Sequence, residues 1–241
     1  MKTVACLGAS LTAGTVSANY LHLLEKRPAL AGFRFVNHGV NGDLAWNGLQ
    51  RLHRVVGEQP DFVTILIGTN DVNATLSERN LIRYNTFNHL PIVPTIAWYE
   101  ENVREIIRRL KAGTSARMAL ISLAPISEDP QFEGYQKIIH YNDVTRRIAA
   151  GENLPYLDLH ARMAAYLHDH EPDRAQLPPP LPYRDGLINI GNATALHATG
   201  LTWNEVSRRN GLLLLTDCIH LNETAAALIA DLIEGWLTGE N

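Results

Sequence analysis

Short apolar runs alternate along the chain with longer segments in which apolar side chains recur every three or four positions. Five apolar runs predict β-strands: Thr3–Leu7, Phe33–Asn37, Phe62–Ile67, Arg117–Leu123 and Leu154–Leu159. Several of them are continuously apolar, which is typical of parallel strands that are buried on both faces. Five amphipathic segments predict helices: Val16–Lys26, Leu44–Val56, Ile96–Lys111, Phe132–Ala150 and Glu223–Leu237. The alternation predicts an α/β fold, in which crossover helices connect the strands of a parallel sheet.

Two regions interrupt this alternation. The first, Asp71–Thr95, has prolines late in it, and the second, Leu167–Leu213, contains a run of three prolines. A connection as long as the second one is usually a lid, a binding loop or a local insertion, so we expect an insertion at 167–213 that can cover a site. Within it, Thr202 and Glu205 have the spacing of a capping box and predict the start of a short helix. No repeat or linker indicates a second domain. We therefore expect residues 1–241 to form a single domain.

Composition narrows the range of functions without identifying one. Of the 241 residues, 46% are hydrophobic and 19% are charged, as in an average globular protein. The net charge of −4 creates no field that would attract polyanions, so we do not expect nucleic-acid binding. The N-terminal apolar run is too short for a secretory signal, and no stretch approaches the roughly 20 apolar residues of a membrane span. We therefore expect a cytoplasmic protein without a membrane span.

The first predicted strand ends in a small-residue segment that contains a serine, Gly8–Gly14 with Ser10 at its centre. Ligands of open α/β sheets bind at the carboxyl ends of the strands. Three known motifs do not fit this segment. It has no lysine for a Walker A loop, and it lacks the glycines of a dinucleotide-binding fingerprint. It also has Thr12 where the nucleophile elbow of an α/β-hydrolase needs glycine. Ser10 is then either a nucleophile or a plain helix cap.

An aspartate and a histidine, Asp217 and His220, directly precede the last predicted helix. A serine hydroxyl becomes a good nucleophile when a neighbouring base removes its proton, and a carboxylate usually orients that base. Three residues of separation allow one loop to supply both groups. By itself such a pair is more typical of a cap and a surface histidine, but its position directly before the last helix changes this interpretation.

Two further segments follow the second and third predicted strands: Asn37–Gly42 and Gly68–Asp71. Acyl transfer requires hydrogen-bond donors directed at the oxyanion of the tetrahedral intermediate. Gly42 can present a closely approaching backbone N–H, and Asn70 can present a side-chain amide. Taken separately, each segment is also compatible with an ordinary turn.

Together, and in this order, the four segments resemble the motifs of the SGNH hydrolases, also called the GDSL esterase/lipase family. The serine, glycine, asparagine and histidine for which that family is named correspond to Ser10, Gly42, Asn70 and His220. The resemblance extends from Met1 to the final helix. It departs at Ala9, where the family usually has an aspartate, and it says little about the two interrupting regions.

The resemblance implies a three-layer α/β/α sandwich of flavodoxin-like type with a central five-stranded parallel sheet, and neither a metal nor another cofactor. By position, Ser10 would attack an ester carbonyl with His220 as general base, and Asp217 would orient His220. The backbone N–H groups of Ser10 and Gly42 and the side chain of Asn70 would hold the oxyanion.

The resulting hypothesis is a serine esterase that acts on small or short-acyl esters, an O-deacetylase among them, with a small-molecule ester as its partner. The family also contains thioesterases and acyltransferases, which use the same site, and fold does not settle the substrate. A catalytically silent binding protein is the alternative from another class. The sequence leaves homo-oligomer formation open.

The remaining candidates have simpler interpretations. His168–Glu171 offers four potential metal ligands, but ligands this close along the chain rarely converge, and we expect no metal site. Asp158 and His160 are expected to be structural, and Cys218 to pack in the interior. The side chains that could either line an acyl pocket or only bury the insertion are Leu187, Ile188, Ile190 and Trp203.

Overall fold

The five predicted apolar runs all contribute strands to one sheet. In the computed structural model, which describes residues 1–239, the strands are β1 Lys2–Gly8, β2 Phe33–Gly39, β3 Phe62–Leu66, β4 Arg117–Ile121 and β5 Tyr156–Leu157. They pair in parallel throughout, in the order β2-β1-β3-β4-β5. This is the flavodoxin-like strand order, which confirms the predicted parallel sheet.

Helices cover both faces of this sheet. The described α-helices are α1 Ser10–Ala13, α2 Tyr20–Glu25, α3 Ala45–Gln50, α4 His53–Gly57, α5 Thr69–Ala74, α6 Glu78–Asn88, α7 Ile96–Gly113, α8 Glu133–Glu152, α9 Leu159–Asp169, α10 Glu171–Arg174, α11 Gly186–Ala198, α12 Trp203–Arg209 and α13 Glu223–Thr238, with a 3₁₀-helix at Pro28–Leu30. Helices α2 and α9 pack on α13, whereas α3 and α8 pack on α7. These two groups form the outer layers of the predicted α/β/α sandwich.

The core lies between the sheet and these two helical layers. Every residue of β3 is buried, as expected for a central strand. Helix α7 buries Ile106, Ile107 and Leu110, whereas Arg104 and Arg108 on its other face are exposed. Each such apolar side chain stabilises the fold by about 1.5–3 kcal/mol when it is fully buried. One continuous apolar cluster runs from β1 to α13.

Three predicted elements are shorter or divided in the structure. Strand β5 has two residues, because Pro155 has no N–H for the ladder and the Asp158 carboxylate caps α9 by accepting a hydrogen bond from Ala161 N. The helix predicted to begin at Val16 begins at Tyr20, since the Asn19 side chain caps it. The predicted helix over 44–56 is divided into α3 and α4 by a turn at residues 51–52.

The two interrupting regions contain more helix than the sequence pattern predicts. Helices α5 and α6 occupy much of 71–95; α6 is rich in polar residues and begins where the Ser77 hydroxyl accepts a hydrogen bond from Asn80 N. The segment 167–213 includes the end of α9 and all of α10, α11 and α12. The predicted capping box at Thr202 is confirmed, because Glu205 N donates to the Thr202 hydroxyl and Thr202 N donates to the Glu205 carboxylate.

The length and hydropathy of the helices show whether any of them could span a membrane. Over residues 1–239, none of the helices combines the length and the apolar character that crossing a bilayer requires.

Candidate active site

Ser10 lies at the sharp connection between the end of β1 and the start of α1. Gly8 allows this connection, because a Cβ at position 8 would lie only 2.0 Å from Thr12 Oγ1 and 2.8 Å from the Leu66 carbonyl oxygen. The Ser10 side chain is largely buried, yet it lines an open cleft. The fold therefore presents this hydroxyl at the carboxyl end of a central strand.

The structure brings Ser10, His220 and Asp217 together in a hydrogen-bonded series. Ser10 Oγ lies 2.9 Å from His220 Nε2, and His220 Nδ1 lies 2.7 Å from Asp217 Oδ2. Since the ionised carboxylate can only accept, the proton of the neutral imidazole is assigned to Nδ1, which leaves Nε2 to accept from the serine hydroxyl. The series joins residues that are 210 positions apart in the sequence.

The loop 217–220 holds the histidine against the serine. The second carboxylate oxygen of Asp217 accepts hydrogen bonds from the backbone N–H groups of Ile219 and His220, at 2.9 and 2.7 Å. This turn places Cys218 at a φ of 78°, in the left-handed region. Burial would raise the pKa of Asp217, but the charge and hydrogen bonds of His220 and the Ile219 N–H keep this pKa below its ordinary value. Asp217 is therefore ionised at neutral pH.

The Cys218 side chain packs in the protein interior. It is fully buried, and its sulfur donates to the carbonyl oxygen of Leu181 at 3.2 Å. Burial is the main cause that raises the pKa of its thiol to about 12. The negative charges of Asp217 and Glu128 raise this pKa further. The thiol thus carries its proton at neutral pH.

Two residues that line this cleft, Ser10 and Gly42, have backbone N–H groups without an acceptor among the described residues. Within residues 1–239, neither Ser10 N nor Gly42 N donates a hydrogen bond to a protein acceptor. Gly42 has a φ of 82°, a conformation that other residues adopt only with strain, and it lines the same cleft as Ser10. The glycine thereby exposes its N–H in the turn that follows β2.

The side-chain amide of Asn70 is held by neighbours at both ends. Its Nδ2 donates to the Asp43 carbonyl oxygen at 2.8 Å, and its Oδ1 accepts from the Tyr84 hydroxyl at 2.6 Å. The Tyr84 hydroxyl in turn accepts from Asn73 Nδ2 at 2.9 Å. One amide hydrogen of Asn70 remains for the cleft. The sequence does not reveal Tyr84, because α6 carries no motif that would distinguish it.

Arg51 is a second supporting residue that the sequence did not reveal. Its guanidinium donates to the carbonyl oxygens of Gly8 and His38, each at 2.8 Å, and to the Asp43 carboxylate at 2.5 Å. It therefore ties the ends of β1 and β2 to the turn that carries Gly42. A half-buried arginine with this many acceptors holds the serine segment and the glycine segment in register.

Glu128 supports the segment that leads to Asp217. Its carboxylate, which is 1% exposed, accepts hydrogen bonds from the backbone N–H groups of three consecutive leucines: Leu213, Leu214 and Leu215. Arg174 pairs with the same carboxylate. In addition, Ser127 N donates to the Cys218 carbonyl oxygen at 2.7 Å. The loop after β4 thus anchors the chain that delivers Asp217 and His220.

The cleft beside Ser10 and His220 has a volume of about 690 Å³. Of the four insertion residues that could line an acyl pocket, Leu187 and Ile190 line this cleft. Trp203 instead is buried and stacks on His197 with a centroid separation of 3.9 Å, and Ile188 is exposed. Helix α11 of the insertion therefore contributes to the cleft wall, whereas α12 packs in the interior.

The other sequence candidates lie away from this cleft. Asp158 caps α9 and pairs with Arg146, and His160 packs edge-on against Tyr135. His170 stacks on Tyr166 at 3.8 Å. In the part of the chain that the structure describes, no three His, Cys, Asp or Glu side chains form a group able to hold a metal ion.

The arrangement of these groups suits one kind of chemistry. A hydroxyl, an imidazole and an ionised carboxylate are hydrogen-bonded in series, and the residues that carry the three N–H donors line the same cleft as the hydroxyl. Such a set can activate the hydroxyl for attack on a carbonyl carbon and can bind the oxyanion that forms.

Comparison with known protein families agrees with this chemistry. The model of the GDSL-like lipase/acylhydrolase family matches residues 6–228. A search of curated protein sequences finds no significant match.

Solved structures share the fold at low sequence identity. An acetyl xylan esterase is similar with a TM-score of 0.71 and 19% identity over 98% of this chain and 99% of that one. An acetylxylan esterase from Geobacillus stearothermophilus is similar with a TM-score of 0.66 and 18% identity, over 99% of this chain and 94% of that one. A lipase/acylhydrolase from Enterococcus faecalis has a TM-score of 0.64 and 22% identity, covering 100% and 97%.

Proposed function

The chain belongs to the GDSL-like lipase/acylhydrolase family, and we propose that it hydrolyses small carboxylic esters through an acyl-enzyme formed on Ser10. The observation that carries the proposal is the series from Ser10 Oγ through His220 to Asp217, with separations of 2.9 and 2.7 Å. Each group in it has the partner that its role requires.

In the first half of the reaction, Ser10 Oγ attacks the ester carbonyl carbon while His220 Nε2 takes the hydroxyl proton. The positive imidazolium that forms is stabilised by the adjacent Asp217 carboxylate. The tetrahedral intermediate then loses its alkoxide, which receives the proton from Nε2 and leaves as the alcohol. The acyl group remains on Ser10.

In the second half, water replaces the alcohol. His220 Nε2 removes a proton from a water molecule, which attacks the acyl-enzyme carbonyl. Collapse of the second tetrahedral intermediate releases the carboxylic acid and returns the proton to Ser10 Oγ. An alcohol or thiol that takes the place of water would make the same site a transferase, so acyl acceptors belong in the assay.

The oxyanion in both halves is held by the N–H groups of Ser10 and Gly42 and by Nδ2 of Asn70. Support for this role is that both backbone groups lack a protein acceptor among the described residues and that one hydrogen of the Asn70 amide is free. Loss of one such donor typically lowers the rate by about 10²–10³. Helix α11, through Leu187 and Ile190, lines part of the cleft in which the acyl or alcohol portion would lie.

The test is hydrolysis of 4-nitrophenyl acetate and butyrate by the wild type and by Ser10→Ala. Acetyl esters come first, because two of the similar structures are those of acetylxylan esterases. Ser207→Ala is the matched control, since it removes a buried hydroxyl that has no hydrogen-bond partner within residues 1–239. We expect the wild type and the control to turn over and Ser10→Ala to fall to background. Equal activity of wild type and Ser10→Ala would overturn the proposed nucleophile.

A further inference from the structure

The cleft contains one cation that the proposed reaction does not use. Arg83 lies on α6 and lines the cleft together with Ser10 and His220. Its Nε and Nη2 are shielded from solvent, yet neither donates a hydrogen bond to a described residue. No carboxylate of residues 1–239 pairs with it either, although the neighbouring Arg79 on the same helix pairs with Asp185.

An aromatic ring lies against this guanidinium. The Arg83 Cζ lies 4.4 Å from the centroid of the Tyr84 ring. Stacking of this kind compensates part of the charge, but it leaves the in-plane N–H donors without acceptors. Because Tyr84 also holds Asn70, the guanidinium belongs to the same wall of the cleft as the oxyanion donor.

Other side chains in the cleft do not neutralise Arg83. Apart from histidines, Arg83 and Asp43 are the charged side chains that line the cleft. The Asp43 carboxylate is already paired with Arg51, at 2.5 Å. The remaining polar lining is mainly asparagine amide, including Asn41, Asn47 and Asn88. The cleft therefore has an excess positive charge at Arg83 and neutral hydrogen-bonding groups around it.

A guanidinium that lines a cleft and has no carboxylate partner among the described residues attracts an anionic ligand, because hydrogen bonds between charged groups are about twice as strong as those between neutral ones. We propose that the cleft binds esters that carry a carboxylate or phosphate group and that Arg83 is the residue that selects them. The inference rests on the proposed ester hydrolysis for the reaction but not for the binding. The anion can belong to the acyl portion or to the alcohol portion of the ester.

Two pairs of esters distinguish these sources. In 4-acetoxybenzoate the charge is on the alcohol portion, and 4-acetoxybenzamide is its neutral counterpart. In monomethyl succinate the charge is on the acyl portion, and methyl succinamate is its neutral counterpart. We expect kcat/KM of the wild type to favour the anionic member of one pair by about 10- to 100-fold, the range for a charge-assisted hydrogen bond.

The variants are Arg83→Gln, which keeps a polar side chain without the charge, and Arg83→Lys, which keeps the charge without the planar fork. We expect Arg83→Gln to bring the anionic-to-neutral ratio of kcat/KM close to one and Arg83→Lys to retain part of it. Arg79→Gln is the matched control, because this arginine is on the same helix but 73% exposed. It should keep the wild-type ratio. A ratio near one in the wild type, or an unchanged ratio in Arg83→Gln, overturns the inference.

A binding measurement separates this inference from the proposed hydrolysis. Calorimetric titration of the Ser10→Ala protein with the same esters should show tighter binding of the anionic member, and the difference should vanish when Arg83→Gln is added. If no ester is hydrolysed but this difference is found, the proposed hydrolysis fails and the anion site is supported. If the esters are hydrolysed but neither rate nor binding depends on charge, the anion site is wrong and the hydrolysis remains.

Discussion

The amide of Asn70 has a single orientation because different groups bind its two ends. The Tyr84 hydroxyl donates to the amide oxygen, and the amide nitrogen donates to the Asp43 carbonyl oxygen. Asn73 donates to Tyr84, and Tyr183 donates to the Asn73 oxygen at 2.5 Å. A donor that is fixed before the substrate arrives does not have to reorganise as the oxyanion forms. Tyr84 is thus a positioning residue for the proposed oxyanion site.

Replacing Tyr84 by phenylalanine removes the hydroxyl that fixes Asn70. The amide can then rotate, and its oxygen loses a buried hydrogen-bond donor. We expect kcat for 4-nitrophenyl acetate to fall by about 10-fold, less than the loss of a donor itself, because the amide is still present. KM should change much less than kcat, since the misplaced group binds the transition state rather than the ground state. Steady-state kinetics measures both constants.

Tyr135→Phe is the control for this variant. Tyr135 is also buried, but its hydroxyl makes no hydrogen bond to a described residue. It should retain the wild-type kcat. A Tyr84→Phe variant with unchanged kcat would show that Asn70 is held without the tyrosine.

At the scale of the elements, the sequence was most informative where burial imposes a pattern. The continuous apolar runs located all five strands, and the apolar stripe of α7 located the longest helix of the first half. Helix α6 was missed, because its residues Glu78–Asn88 are largely polar and its buried side chains include Asn80 and Tyr84 rather than an apolar stripe. The length of β5 was overestimated, because the sequence pattern did not account for Pro155 and the cap at Asp158.

The site residues divide in the same way. Ser10, Gly42, Asn70, Asp217 and His220 belong to local motifs at strand ends, so they could be named as candidates before their distances were known. Arg51, Tyr84 and Glu128 belong to no local motif. Each has partners on other elements of the fold, as much as 85 residues away in the bond from Leu213 N to Glu128. Only the fold could reveal such contacts.

Glu128 provides the prediction at this scale, because it joins the loop after β4 to the segment before Asp217. In Glu128→Gln, an NH₂ group replaces one carboxylate oxygen and faces donors on Arg174 and Leu213. We expect the free energy of unfolding to fall by about 3 kcal/mol, as when one partner of a buried pair is removed. Urea unfolding at pH 7 measures the change.

The control for that measurement is Glu133→Gln. Glu133 is 65% exposed and pairs with Lys137 on the surface of α8, so its loss should cost less than about 1 kcal/mol. Equal effects of the two substitutions would mean that Glu128 does not anchor the segment.

For the whole molecule, the carboxyl ends of β1, β2 and β3 and the loop before α13 meet at one edge of the sheet. Helices α5, α7 and α8 pack behind this edge, and Asp71 of α5 is completely buried there. One of its carboxylate oxygens accepts from Ala45 N at 3.0 Å, and the other has no partner among the described residues. Burial raises the pKa of Asp71 to about 7, although the Ala45 N–H opposes the shift.

The ionisation of Asp71 makes the stability of the whole molecule depend on pH. Because the pKa is raised from 3.8 in the unfolded chain to about 7 in the folded protein, the folded state binds more protons between these values. Its contribution to stability is therefore complete below pH 3.8 and is lost as the pH rises towards 7, by about 3 kcal/mol between pH 4 and 7.

Asp71→Asn keeps an acceptor for Ala45 N and has no proton to lose. We expect the difference in unfolding free energy between Asp71→Asn and the wild type to shift by that amount, in favour of the variant, from pH 4 to pH 7. Urea unfolding at each pH gives this difference, in which the titration of all other groups cancels. Parallel pH profiles of the two proteins would mean that Asp71 titrates normally in the folded state.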